Sequence, residues 1–382
     1  MEQLLKEGNA PLRILLMGDA SNFHSALAAG LRRLGHDVVL ASDGSAWMNT
    51  SRDVDLSRPL PGKLGGLALW LILLRHFNGV FTGYDVVSLC GLSFVKLRPA
   101  RQRYIFDLLK KHNGSVFYTA LGTDPGFVTE CLDPDTRLKY NDFRIYGQPS
   151  PMSAADPELE KVWLSDDLVN LYDHVIDHVD GAMSCLWEYD VAMERVMPRD
   201  KILAGAIPID ISGIAPVEIP DNVGKVRLFL GRHRDRMLEK GTDILEAAAK
   251  AVVERYPDKA ELVIVENRPY DEYLDLLKSA HVVLDQIYSY TPATNALLAM
   301  AMGLNTVSGG SDEYYRHIGE KSLRPVIHVE PNYESVYKAL EEAVLHPELL
   351  SIRGRQGRKL VEKYNDCEKV ARKNLDFWCR HM

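Results

Sequence analysis

The chain has 382 residues, 46% hydrophobic and 26% charged, with 45 Lys+Arg against 53 Asp+Glu and a formal net charge of −8. At roughly 150 residues per domain, this length predicts two or three domains with sizeable cores, and the acidic total excludes a general nucleic-acid binder, which would run basic. The five cysteines (Cys90, Cys131, Cys185, Cys367, Cys379) are far apart, which excludes a disulfide framework or zinc ribbon by spacing and favours a reducing, cytoplasmic compartment.

The opening MEQLLKEGNAPLR lacks the apolar stretch and cleavage site of a secretion signal. Leu12–Met17 is a short apolar run closed by Gly18-Asp19, a buried strand and a turn. Apolar residues recur at helical spacing from Ala26 to Leu34, Gly35 ends the helix, and Asp37–Ser42 is a second strand. Strand, glycine turn, helix and strand open a parallel doubly wound sheet. The loop Gly18–His24 lacks the second and third glycines of G-x-G-x-x-G, so no NAD site is expected. His24 reads as a substrate contact or acid/base group facing the crevice, or as a capping or surface histidine. The apolar run Leu64–Leu74 has about half of the ~20 residues that span a bilayer.

Further strands are predicted at Val86–Leu89 and Val116–Thr119. Between them Lys96, Arg98, Arg101, Arg103, Lys110 and Lys111 surround a helix starting near Pro99. The segment Lys96–Lys111 reads as a solvated helix face, or as a peripheral contact for anionic lipid or a lipid-linked substrate. Residues 1–120 carry 14 Lys+Arg against 9 Asp+Glu, and residues 121–190 carry 4 against 15. The acidic block reads as exposed connecting helix. Within it, Asp124 of LGTDPG is a crevice candidate or an ordinary turn residue before Pro125. Asp133/Asp135 and Asp166/Asp167 have no histidine nearby, so turns or helix surface are expected rather than a metal site.

A helix and short strand over His174–Ser184 end the first half, and Ile207-Pro208-Ile209-Asp210 marks the domain boundary. A second α/β set follows, with strands at Val226–Leu230, Glu261–Val265, Val282–Asp285 and Thr306–Ser308. Its helices are predicted at Thr242–Arg255, Tyr270–Ser279 and Asn295–Met302, and from Glu334 onward the chain is almost all helix. In GRHRDRMLEKGTDIL, Arg232 and Lys240 flank a helix start after a strand. Open backbone amides there bind phosphate, and the two cations add charge, although a charge-rich surface loop has the same composition. In YTPATNALLAMAMGLNTVSGG, Thr291, Thr294 and Asn295 can cap a helix, and small residues such as Gly309 allow close ligand approach. A well-capped core helix is the competing reading.

Taken in order, these segments resemble the group 1 (retaining, GT-B fold) glycosyltransferases from Arg13 to about Trp378. The resemblance rests on the opening strand-loop-helix-GHDV, IPID at the linker, GR…EKGTDIL, LLAMAMGLNTVSGG and GRQGRKLVEKYNDCEKVA. It implies an α/β fold of two Rossmann-like domains facing a cleft, with the C-terminal helices crossing back to the first. An acceptor-binding domain over 1–207, a nucleotide-sugar domain over 208–362 and a returning helix over 363–382 follow. The implied partners are a nucleotide-sugar and a carbohydrate or lipid-linked acceptor, without nucleic acid, cofactor or obligatory metal. His24 and Asp124 are then the catalytic candidates, and Arg232, Lys240, Glu266, Tyr288, Thr294, Asn295 and Gly309 the donor-binding ones.

Two departures stand out. The two glutamates that the family carries eight positions apart fall on Tyr290 and Leu298. The Arg232–Lys240 interval is also longer than usual, which brings in Arg234 or Arg236 as a substitute. Three readings are therefore carried: an active glycosyltransferase, a non-catalytic sugar- or partner-binding protein of the same fold, and a sugar-nucleotide epimerase.

Overall fold

A computed structural model describes residues 10–45, 48–232, 236–266 and 268–382. The first sheet contains β1 (Arg13–Met17), β2 (Asp37–Ser42), β3 (Val54–Asp55), β4 (Val86–Cys90) and β5 (Ser115–Ala120). After the hairpin β6–β7 (Arg144–Ile145, Gln148–Pro149), it is completed by β8 (Gly181–Ser184) and β9 (Ile202–Ala204). The strand order is β3-β2-β1-β4-β5-β8-β9, and the neighbours are parallel. Helices cover both faces of such a sheet, so its strands are apolar continuously rather than alternately. Accordingly, Ile14, Leu15, Leu16 and Met17 are all fully buried.

The second sheet is built from β10 (Val226–Arg232), β11 (Ala260–Glu266), β12 (Val282–Leu284), β13 (Asn305–Ser308) and β14 (Ile327–His328). Its order is β11-β10-β12-β13-β14, again parallel. In both sheets the order reverses beside the first strand, next to β1 and next to β10. Ligands bind outside the carboxyl ends of strands at such switch points.

The chain then returns to the first domain. Ile209 N–H donates to the Asn365 carbonyl at 2.7 Å, and Cys367 N–H donates to the Ile209 carbonyl at 3.0 Å. Asp366 accepts from the amides of Glu368 and Lys369, capping the last helix, Cys367–His381. That helix lays Phe377 and Trp378 against Phe117 of β5. It also runs so close to the helix Phe23–Arg33 that a Cβ at Gly30 would strike the Cys367 carbonyl. Only glycine fits there, and the crossing is locked by packing as well as by hydrogen bonds. No helix among the described residues is long and apolar enough to cross a membrane.

Candidate functional site

A cleft of about 570 Å³ opens where the carboxyl ends of the two sheets face each other. Its first-domain wall contains Ala20 and Ser21 from the loop after β1, Phe23, Leu121, Asp142 and Glu188. The second-domain wall contains Arg232, Arg236, Lys240, Arg268, Tyr288 and the stretch Ala293–Asn295. The loops after β1, β10 and β12 all contribute, so the cleft lies at both switch points.

The donor-binding candidates converge in part. The helix Thr294–Ala301 begins at an N-cap, Ala293, that offers no side-chain cap. Thr291, Thr294 and Asn295 therefore do not cap it, in contrast to the expectation from sequence. Thr291 is drawn away to Glu188, and Asn295 Oδ1 accepts from the Tyr273 hydroxyl at 2.7 Å. The open amides of the first turn belong to cleft-lining residues and present partial positive charge to it. Lys240 ends the short helix Met237–Lys240 and also lines the cleft. Arg232 lines it between two carboxylates, donating through Nε to Glu266 and through Nη1 to Glu246. These partners, Glu266 first, push the Arg232 pKa up. Glu266 is thus the arginine's brace and does not itself line the cleft. Arg236 lines the wall as well, engaged with Glu239, and Arg234 lies outside the described residues. Tyr288 borders the cleft, and its buried hydroxyl has no hydrogen-bond partner among the described residues. Gly309 meets backbone instead of open space: a Cβ there would strike the Ser289 carbonyl.

Neither catalytic candidate reaches the cleft wall. His24 lies inside the helix Phe23–Arg33, fully buried. Its Nδ1 is 2.8 Å from the Gly18 carbonyl and its Nε2 is 3.1 Å from Ser88 Oγ. Burial lowers its pKa to about 4, so the ring is neutral and holds the turn after β1. Asp124 is the N-cap of the helix Pro125–Leu132, accepting from Phe127 N–H at 2.8 Å and the Tyr118 hydroxyl at 2.6 Å. Burial raises its pKa. The turn reading of Asp124 matches this geometry, with the added anchor to Tyr118.

Three further residues shape the site: Glu188 and Asp142, which sequence reasoning missed, and Tyr290, which it named only as a replaced glutamate. Glu188, on the first domain, is buried and accepts from Ser289 Oγ (2.6 Å), Thr291 Oγ1 (2.7 Å) and the Tyr290 and Thr291 amides of the second domain. Tyr290 turns away from the cleft into the first domain. It stacks on Tyr140 with ring centroids 4.3 Å apart and meets Trp187 edge-on. The residue at the family's first glutamate position is therefore interdomain packing, and a carboxylate from the opposite domain grips the same loop. Asp142 is the third. Burial, with Glu239 and Glu188 adding like charge, raises its pKa to about 7 while Arg236 and Lys240 pull the other way. Leu298 lines the cleft one turn into the helix that starts at Thr294. No group of three or more potential metal ligands is found among the described residues.

Two facing Rossmann-like domains with a returning C-terminal helix make the GT-B architecture of glycosyltransferases. No family model and no curated protein matches the chain. Among solved structures, it is similar to sucrose-phosphate synthase from Thermosynechococcus elongatus at 13% identity, TM-score 0.63, covering 96% of this chain and 98% of that one. It is also similar to the catalytic domain of starch synthase IV from Arabidopsis thaliana, bound to ADP and acarbose, at 10% identity, TM-score 0.60, covering 97% and 99%. Anabaena HepE, in complex with UDP and glucose, gives 11% identity, TM-score 0.59, covering 97% and 100%. At these identities the likeness carries the fold.

Proposed function

We propose that the protein is a retaining glycosyltransferase of the group 1 type, moving a sugar from a nucleotide-sugar to a polysaccharide or glycolipid acceptor. One observation carries the reading. The uncapped start of the helix Thr294–Ala301 lines the same wall as Arg232 and Lys240, so a donor diphosphate finds amides and cations on a single surface. Solved neighbours of the same fold bound to UDP or ADP support a nucleotide-sugar as the donor class.

In front-face transfer the anomeric carbon–oxygen bond breaks toward the diphosphate, and the acceptor oxygen attacks from the same side. The acceptor's proton passes to the departing diphosphate oxygen, so no carboxylate nucleophile is required. The protein's task is to stabilise negative charge on the leaving group, for which Lys240, Arg232 and the helix amides are suited. This chemistry tolerates tyrosine and leucine at positions 290 and 298, and it calls on no metal. On the facing wall, Asp142, whose pKa is raised by burial and by the like charge of Glu239 and Glu188, is the candidate to hold an acceptor hydroxyl. The five cysteines, all free, support a reducing, cytoplasmic location.

A second reading, a non-catalytic sugar- or partner-binding protein, is favoured by the diversion of Tyr290 into the domain interface and by the apolar Leu298. A thermal-shift screen with nucleoside diphosphates and nucleotide-sugars, followed by product analysis, separates them. A ligand at 100 times its Kd adds about 2.7 kcal/mol. Stabilisation by one nucleotide with sugar transfer supports the enzyme, and stabilisation without transfer supports the binding protein. The absence of any nucleotide response would remove the donor site altogether.

A further inference from the structure

The helix Gly62–His76 is apolar on every side, a composition that belongs inside a protein, yet only part of it is covered. Gly65, Leu69 and Leu73 are buried, the two leucines within the first-domain core. Leu64, Leu67 and Leu71 are 69%, 44% and 58% exposed, and Leu60, leading into the helix, is 51% exposed. Positions i, i+3 and i+7 lie on one side of a helix, so the leucines form a continuous stripe. Lys63 borders its start, and Arg75 continues it one turn beyond Leu71.

The surroundings of this stripe are basic. Trp70 meets Tyr104 in a tilted pair with ring centroids 5.2 Å apart, and the Arg101 guanidinium lies 5.4 Å from the centre of the Trp70 ring while donating to the Gly66 carbonyl at 3.2 Å. The cationic helix Pro99–His112 is thereby fastened alongside. From residue 58 to residue 111 the chain carries nine Lys or Arg, two Asp and no Glu. Lys96 pairs with Asp43 and Lys110 with Asp180; the other seven have no acidic partner among the described residues.

We propose that this face docks on an anionic lipid bilayer. The leucine stripe enters the boundary between headgroups and acyl chains, the Trp70–Tyr104 pair sits at headgroup level, and the unpaired cations meet lipid phosphates. At ~1.5 Å per residue, the helix is about 22 Å long, short of the ~30 Å hydrocarbon core, so it lies in the membrane plane. A second copy is a poorer occupant, because a self-complementary contact would press two basic surfaces together. The helix starts after β3, on the side of the first sheet where the strands' carboxyl ends and the cleft lie. Delivery of a lipid-linked acceptor to the cleft rests on the glycosyltransferase reading; the docking itself does not.

Flotation of the full chain with phosphatidylcholine vesicles, with and without phosphatidylglycerol, tests the proposal. Wild type is expected to float with the anionic vesicles. The Leu64→Ser/Leu67→Ser/Leu71→Ser variant should bind at least about tenfold more weakly. Lys63→Gln/Arg75→Gln should bind roughly thirtyfold more weakly and less salt-sensitively. All three stripe positions are exposed, so the thermal midpoint should hold and any nucleotide response should be unchanged. Failure of wild type to bind anionic vesicles, or equal binding by the leucine variant, overturns the proposal. A dimer that the leucine variant abolishes, without vesicle binding, would give this face to a second copy and overturn it as well.

Discussion

The two walls of the cleft carry different chemistry. Among the described lining residues, all the cations (Arg232, Arg236, Lys240 and Arg268) belong to the second domain, which also supplies the open helix start at Thr294. The first-domain wall offers apolar surface such as Phe23, Met48 and Leu121, with Asp142 and Glu188 as its carboxylates. The difference teaches that positive charge enters the cleft from one side only, while the other side combines apolar surface with two carboxylates. Glu188 and Tyr290 join the walls. Each reaches across to the opposite domain, which fixes the distance between them.

The largest expected effect comes from breaking that joint. In Glu188→Ala, the Tyr290 and Thr291 amides and two hydroxyls lose their buried acceptor, at a cost of about 4 kcal/mol. Urea unfolding should register most of this loss, with Glu188→Gln recovering part of it. A cost below about 1 kcal/mol would mean that the Glu188 bonds contribute little and that the other interdomain contacts hold the joint.

The stability of the first domain should be pH-sensitive through His24, which is buried behind the cleft wall. Its folded pKa of about 4 lies below the ordinary 6.5, so the unfolded chain binds the extra proton first. Stability from this group is complete above pH 6.5 and declines as pH falls toward 4, by about 3 kcal/mol in total. Asp142, with its raised pKa, acts in the opposite direction over much of the same range. The clean measurement is therefore the difference between wild type and His24→Gln across pH 4 to 7, which should shrink steadily toward the acid side. A constant difference would show that His24 titrates normally.

On the second wall, Lys240→Ala should weaken nucleoside diphosphate binding by about ten- to hundredfold in calorimetry. Arg232→Ala should cost less, because Glu246 and Glu266 already offset its charge. The reverse ranking would shift the phosphate toward β10. The smallest effect is expected from Tyr290→Phe. It keeps the stack on Tyr140 and loses only a 3.3 Å hydrogen bond from the Tyr140 amide, a change below about 1 kcal/mol by thermal denaturation.

Much of the scaffold was legible because it follows local rules. The helix predicted over Thr242–Arg255 has those same ends, and the strands predicted at Val86–Leu89 and Val116–Thr119 fall within the observed Val86–Cys90 and Ser115–Ala120. The site was less legible because its determinants are long-range. Glu188 meets its partners 101 to 103 positions away, and no spacing rule links them. Asp142 lay in an acidic block that reads as solvated surface, and only its half-buried place on the cleft wall distinguishes it. His24 reads from sequence as a crevice loop residue but lies buried in the first turn of a helix, and Asp124 is a helix N-cap; rings and carboxyls near strand ends serve turns and caps as readily as ligands. The helix Gly62–His76 misleads in another way: an all-round apolar run predicts burial, and its uncovered stripe appears only in three dimensions.

The central claim is that the second wall alone holds the donor diphosphate. A crystal structure with a nucleoside diphosphate tests it most directly. The expected result has phosphate oxygens within about 3 Å of the amides of Thr294–Ala296, with Lys240 reaching the same group. A diphosphate bound on the first-domain wall, or clear of those amides, would contradict it.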